Sequence, residues 1–191
     1  MLAELAGRPE LLALSFHVDY WDRLGWKDPF STHAATQRQQ RYAELLGLAT
    51  VYTPQIVVDG QWQAVGSNRA EVEHALTLAR RGDARQVPVA LAIDRGQARI
   101  SLGPSSDGVA AAVWLIGFDR RHVTAVARGE NAGRTLAHVD VVRSIEQVAP
   151  FTGPAIVDAA IPSQGDRVAA IVQARDGRVL GIAVRDSSAP P

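Results

Sequence analysis

Residues 51–60 read Val51-Tyr52-Thr53-Pro54-Gln55-Ile56-Val57-Val58-Asp59-Gly60. The Asp-Gly pair at the end of this run is a strong two-residue turn signal, and a second strand-length stretch follows it. The pattern predicts a β-hairpin whose strands comprise residues 55–58 and 61–65. Because proline cannot donate to a strand ladder, the Thr53-Pro54 pair is expected to open the first strand.

Two helices and a strand are predicted before this hairpin. Residues 1–7 read as the last turns of a helix that ends at a glycine. Residues 11–18 form an apolar run of strand length, which suits a buried strand of an α/β sheet. A helix is predicted over residues 34–46, where Ser31 or Thr32 can cap its first turn.

A third helix is predicted after the hairpin. Asn68 and Glu71 have the spacing of a capping box with asparagine in the cap position. The apolar residues that follow are spaced for one buried helix face: Val72, Ala75, Leu76 and Ala79. Positive charge near residues 80–83 suits the helix end, so we place the end of a first domain there.

The second part of the chain has the pattern of many short strands. The runs are residues 87–93, 97–102, 109–118, 123–127, 156–161, 168–174 and 179–184. Strands at this spacing predict a mainly antiparallel β sandwich or barrel. We therefore predict an α/β protein with a first domain over residues 1–83, a β-rich second domain over 86–186, and a tail over 187–191.

The order of elements in the first domain resembles a thioredoxin-like fold without its first strand. In that fold a cis-proline strand, here beginning at Thr53-Pro54, normally faces a Cys-x-x-Cys pair. The first strand is central there, so its absence would leave two rows of backbone groups unpaired. This chain contains no cysteine, which excludes disulfides and thiol catalysis in the sequence as it stands.

Several longer segments resemble one family. They are residues 14–22, 24–30, Arg38-Gln39, 51–55, 128–136 and 141–143. These segments are similar to the DUF1223 family of thioredoxin-like proteins from Gram-negative bacteria. The resemblance implies an export signal, a first strand and a Cys-x-x-Cys segment in the intact protein, which would act in thiol–disulfide exchange in the cell envelope. We expect either a truncated N-terminus here or a variant that has lost its redox centre.

Composition excludes several classes of function. The formal net charge is +0, so no basic excess attracts nucleic acid or an anionic membrane. No apolar run approaches the ~20 residues of a membrane span, and no cofactor motif is present. We expect a periplasmic or secreted protein if an export signal precedes Met1, and a cytoplasmic one for the chain as given. The missing strand would favour self-association through exposed edges.

The candidate site is one edge of the predicted sheet, because parallel α/β sheets commonly place their sites at such an edge. It takes in six residues around the vacant cysteine position: His17, Asp19, Tyr20, Trp21, Thr53 and Pro54. The predicted strand is followed by a loop over residues 19–30, called the aromatic loop. Its aromatic residues, Tyr20, Trp21, Trp26 and Phe30, can form a binding surface or a small core that pins the loop. We assign no catalytic residue and no metal ligand.

Three hypotheses follow. The first is a relative of the envelope thiol–disulfide oxidoreductases from which no thiol-based activity is expected. The second is a non-enzymatic module that binds a peptide or protein at the Pro54 edge and the aromatic loop. The third and weakest is a metal-assisted hydrolase at His17 and Asp19, completed by Asp22, Asp28 or His33. A histidine hydrogen-bonded to a carboxylate as a structural pin is the simpler interpretation of these residues. Residues 129–134 can bind an anion, although a structured turn is the simpler interpretation.

Overall fold

The computed structural model describes residues 1–82, 87–105, 108–126 and 133–188. Its first part contains three α-helices and one hairpin. They are α1 (Leu2–Ala6), α2 (His33–Leu45), β1 (Gln55–Val58), β2 (Trp62–Val65) and α3 (Arg69–Arg81), and a short 3-10 helix (Asp22–Leu24) precedes α2. These bounds agree with the helices and the hairpin predicted from the sequence.

Local side-chain chemistry explains where these elements begin and turn. The Thr32 hydroxyl accepts a hydrogen bond from the Ala35 N–H and so caps α2. The Asn68 side chain does the same for the Glu71 N–H at the start of α3. In the hairpin turn Asp59 and Gly60 both have positive φ, 47° and 73°, as a tight turn of this type requires.

The strand predicted over residues 11–18 is wrong as a regular strand. Only Ser15 forms a bridge, parallel to Val141. The segment is extended, however, and its side chains alternate between two cores. Leu12, Leu14 and Phe16 pack against residues of the four-stranded sheet that the C-terminal part of the chain forms, which we call the C-terminal sheet. Leu11 and Ala13 pack against the α3 cluster, so the apolar run is explained by burial on both faces.

The described residues from 87 onward include seven antiparallel strands. They are β3 (Val89–Asp94), β4 (Gln97–Leu102), β5 (Ala111–Ala125), β6 (Thr135–Phe151), β7 (Ala155–Ala160), β8 (Arg167–Ala174) and β9 (Val179–Asp186). One sheet has the strand order β3-β4-β7 and the other β6-β5-β8-β9. Both sheets contribute to one shared hydrophobic core, for example Ile100 from the first sheet and Leu115 from the second.

The strands predicted for this region need correction. The runs 109–118 and 123–127 belong largely to one strand, β5, and the sequence reading missed the 17-residue strand β6. The proposed boundary at residues 82–86 falls mainly on residues 83–86, outside the described residues. The protein is thus a mixed α/β protein, rich in strands, with antiparallel sheets. A thioredoxin-like arrangement of the first part is not confirmed, since its only sheet has two strands.

Candidate functional site

Four of the six predicted site residues lie close together on the surface. The Trp21 indole N–H donates to the Thr53 hydroxyl at 3.0 Å. The Tyr20 and Trp21 rings are 5.4 Å apart between centroids. Trp21 is 51% exposed, which is high for a tryptophan. The peptide bond between Thr53 and Pro54 is cis. The aromatic loop therefore reaches the start of β1.

Gln39, on helix α2, holds this arrangement together. Its side-chain amide donates to the Tyr52 carbonyl at 2.7 Å and to the Gln55 side-chain oxygen at 3.1 Å. Its own oxygen accepts from the Tyr20 hydroxyl at 2.9 Å. One side chain thus links the loop, α2 and the strand that follows Pro54. Sequence reasoning named Gln39 only as part of a family resemblance and gave it no role.

His17 and Asp19 form hydrogen bonds with different partners. The His17 Nδ1 atom lies 2.6 Å from Oδ2 of Asp28. Asp19 instead accepts from the Thr36 hydroxyl at 2.5 Å and pairs with His33 at 3.2 Å. Among the described residues no group of three or more potential ligands could hold a metal ion.

His17 belongs to a cluster of rings between the aromatic loop and the C-terminal sheet. Phe30 is 8% exposed and lies 5.6 Å from the His17 ring, 5.5 Å from that of His138 and 4.5 Å from that of His122. The guanidinium of Arg143 stacks on Phe30 at 5.2 Å. The aromatic loop residue Phe30 therefore pins the loop to the sheet, while Tyr20 and Trp21 stay at the surface.

Charges around this cluster are paired. Burial acts to raise the pKa of Asp28, but hydrogen bonds from His17 and the Phe30 N–H outweigh it and hold that pKa below its usual value. The pKa of Asp119 is lowered in the same way, because hydrogen bonds from His122 and Arg143 outweigh its burial. Both carboxylates are therefore charged at neutral pH and accept hydrogen bonds from their neighbours.

An apolar groove runs between residues 11–16 and strand β1. Its volume is about 480 Å³, and Val179 and Ile182 of β9 contribute to its lining. Hydrogen bonding closes one end, where the Val179 N–H donates to the Asp59 carbonyl at 3.0 Å. We call it the strand groove. Pro54 and Thr53 line it, so it is continuous with the predicted site.

The predicted anion-binding turn cannot be placed. Residues 127–132 lie outside the described chain. Within the described ranges no helix has both the length and the apolar character needed to cross a bilayer.

The fold and site define a strand-rich α/β protein with an apolar groove beside a Thr-Pro pair. The family model for DUF1223, a protein family of unknown function, matches residues 1–174. The chain belongs to this family.

One solved structure is similar over the whole chain. It is the crystal structure of a structural-genomics target from Agrobacterium tumefaciens, with a TM-score of 0.83 and 23% sequence identity. The match covers 100% of this chain and 86% of the other. At this level of sequence identity the similarity supports a shared fold and nothing more. No curated protein matches the sequence significantly.

Proposed function

We propose that the protein is a non-enzymatic binding module that holds an extended peptide in the strand groove by strand addition. One observation carries the proposal: within the described residues β1 pairs only with β2, which leaves its other edge unpaired beside the groove. An unpaired strand edge is a template for another extended chain.

The hydrogen-bond pattern of β1 indicates which groups face the groove. The Pro54 carbonyl accepts from the Gly66 N–H at 2.8 Å, so position 54 points toward β2. In an antiparallel pair the bonding direction alternates along the strand. Gln55 and Val57 therefore direct their backbone N–H and C=O groups away from β2, toward the groove.

The opposite wall offers a second edge. Ser15 uses both its N–H and its C=O to bond β6, at 2.8 Å to Asp140 and 2.9 Å to Val142. By the same alternation, Leu14 and Phe16 direct their backbone groups away from β6, and their N–H groups have no hydrogen bond within the described residues. A peptide between the two walls would pair on both sides.

The lining specifies an uncharged, apolar peptide. Among the described residues that line the groove, the only charged side chains are those of Arg38 and Asp59. The side-chain nitrogen of Gln55 is buried without a hydrogen-bond partner there, and such a donor is costly to leave unpaired. A backbone carbonyl of the peptide would satisfy it. We propose as occupant an extended segment of a partner protein with apolar residues at alternate positions.

A thioredoxin-like ancestry and a location in the cell envelope are part of this proposal. The order of helices and hairpin in the first part supports that ancestry. Thiol–disulfide exchange is not proposed, because the nucleophile must be a thiolate and these 191 residues contain no cysteine. Hydrolysis at His17 and Asp19 is not proposed either, because each is bonded to a different partner.

The test is a synthetic peptide that alternates valine and threonine between terminal lysines. Its control is the same peptide with N-methylated valines, which keeps the side chains but cannot complete a ladder. We expect the first peptide to slow amide exchange at Leu14, Phe16 and Val57 in NMR spectra, and the control to have no effect. Equal effects of both peptides, or none at millimolar concentration, would overturn strand addition.

A groove-filling variant tests the location. Ala13 lines the groove, so Ala13→Leu should weaken peptide binding at least fivefold. Ala90 is exposed on β3, so Ala90→Leu is the matched control and should bind as the parent does. Unchanged binding by Ala13→Leu would contradict the proposal. So would concentration-dependent dimers that protect the same amides without peptide, because the occupant would then be a second copy.

A further inference from the structure

A second cavity of about 650 Å³ lies between helix α2 and the four-stranded sheet. Three guanidinium groups line it, those of Arg38, Arg41 and Arg175, and no described lining residue is acidic. Trp114 and Ile145 contribute apolar surface. The chain as a whole carries no net charge, so this concentration of positive charge is local.

Arg38 is the most constrained of the three. Its Nη2 atom donates to the Tyr42 hydroxyl at 3.1 Å and to the Gln173 side-chain oxygen at 2.9 Å. Its guanidinium carbon lies 5.4 Å from the Phe16 ring centroid and 5.9 Å from that of Trp114. Rings and neutral hydrogen-bond acceptors therefore fix its position.

No acidic residue lines the cleft beside Arg38 among the described residues. Within the described residues it forms no ion pair, and its buried Nε atom has no hydrogen-bond partner. Withdrawing a charge from water without a counter-charge is costly, and a buried donor without an acceptor adds to that cost. Such an arrangement is expected where an anion completes the site.

The other two arginines leave the cleft positive. Arg41 pairs with Glu44 at 3.1 Å, but these side chains are 58% and 69% exposed, so solvent screens the pair. Arg175 is exposed and forms no ion pair in the described part of the chain. Its carbonyl accepts from Arg41 Nη2 at 3.3 Å, which keeps the two residues adjacent.

We propose that this cleft binds a small organic anion, with a carboxylate or phosphate head group on a flat apolar body. The head group would meet the guanidinium groups, which bind such anions well. The body would lie against Trp114 and Ile145. The volume is in the range of small-molecule sites. Arg38 and Tyr42 line both this cleft and the strand groove, whereas Arg41 and Arg175 line this cleft alone, so substitution of Arg175 tests the cleft separately from peptide binding.

The probe is 1-naphthoate, compared with the uncharged 1-naphthamide of the same shape and with 1-naphthyl phosphate. Calorimetry on the whole chain gives the affinities, and the indole resonance of Trp114 reports the location. We expect naphthoate to bind at least tenfold more tightly than the amide, and added salt to weaken it. The phosphate arm shows which head group the cleft prefers. Equal binding of acid and amide, or binding that leaves Trp114 unchanged, would overturn the proposal.

Substitutions assign the charge. Arg175 is at the surface, so Arg175→Gln should weaken naphthoate binding roughly threefold to tenfold without changing the melting temperature. Arg38→Gln should weaken it further, and a thermal scan shows whether that variant folds. Arg95 has a 93% exposed side chain in the β3–β4 turn, so Arg95→Gln is the matched control. Naphthoate binding that is equal in Arg175→Gln and Arg95→Gln would contradict the proposed site.

Discussion

The Nδ1 atom of His17 lies 2.6 Å from Oδ2 of Asp28. This contact joins the end of the aromatic loop to the extended segment that precedes the loop. The two side chains are only 12% and 21% exposed, so solvent screens them little. The arrangement holds Phe30 against the C-terminal sheet. It is a structural pin. The pKa values of Asp28 and of the neighbouring His138 are both lowered, and each leads to a prediction about stability and pH.

The first prediction concerns Asp28. Its pKa is lowered on folding, so the stability that it contributes is present above its ordinary value of ~4 and is lost as pH falls through the lower folded value. Asp28→Asn should cost about 1–3 kcal/mol at pH 7 and less at pH 3. Urea unfolding at both pH values measures this. The exposed Asp94→Asn is the control, and an equal cost of Asp28→Asn at both pH values would be evidence against the pin.

The second prediction concerns His138. Burial lowers its pKa, as does the charge of the neighbouring His17, while Asp28 acts in the opposite direction. A lowered histidine pKa gives stability that is present above the ordinary value of ~6.5 and is lost as pH falls through the folded value. The protein should therefore be less stable at pH 5 than at pH 7.

Two glutamine variants test whether His138 is responsible for this pH dependence of stability. His138→Gln should reduce the difference in unfolding free energy between pH 7 and pH 5. His74 is exposed on α3, so His74→Gln should leave that difference as in the parent. If His138→Gln keeps the full pH dependence, another group is responsible.

The sequence predicted elements that local chemistry specifies. The Asp59-Gly60 turn needs two residues that tolerate positive φ, and the α2 and α3 caps need a hydroxyl or amide oxygen at one position. These requirements act over a few residues, so they can be read without the rest of the chain. The hairpin and the two long helices were predicted for this reason.

Elements that depend on distant partners were predicted poorly. The sequence of strand β6 lacks a clear alternation of apolar and polar residues. Asp140, with a positive φ of 46°, interrupts the strand, and pairing with β5 decides the conformation of the rest. Residues 11–18 are apolar enough for a strand but find a single bridge. The arginine cleft was missed because Arg38 and Arg175 are far apart in the sequence. They line one cavity only because helix α2 lies against the four-stranded sheet.

The third prediction concerns Gln39. Its amide donates to the Tyr52 carbonyl and the Gln55 side-chain oxygen, and its own oxygen accepts from the Tyr20 hydroxyl, so Gln39→Ala removes the hydrogen bonds of three partners. We expect a loss of about 1–3 kcal/mol in unfolding free energy. Gln40 is the next residue and is exposed, so Gln40→Ala tests the same helix without these bonds. Chemical denaturation of the two variants compares them directly, and equal losses would show that the bonds contribute little.

The fourth prediction concerns the close approach of two turns. Gly60 has a φ of 73°, and a Cβ atom there would lie 1.8 Å from the carbonyl oxygen of Gly177. Gly96 has a similar φ of 78° in the β3–β4 turn, and a Cβ atom there would meet nothing within 4 Å. Both alanine variants therefore carry the same backbone strain of about 1 kcal/mol, and only Gly60→Ala adds a clash.

Thermal and urea unfolding of the two variants measures that clash. We expect Gly60→Ala to cost at least about 2 kcal/mol more than Gly96→Ala, because backbone on both sides must move. The Val179 N–H to Asp59 carbonyl bond, which closes the strand groove, lies beside this contact. Gly60→Ala should therefore also speed amide exchange at Val179, whereas Gly96→Ala should not. Equal costs would show that the hairpin tip and the β8–β9 turn do not touch in solution.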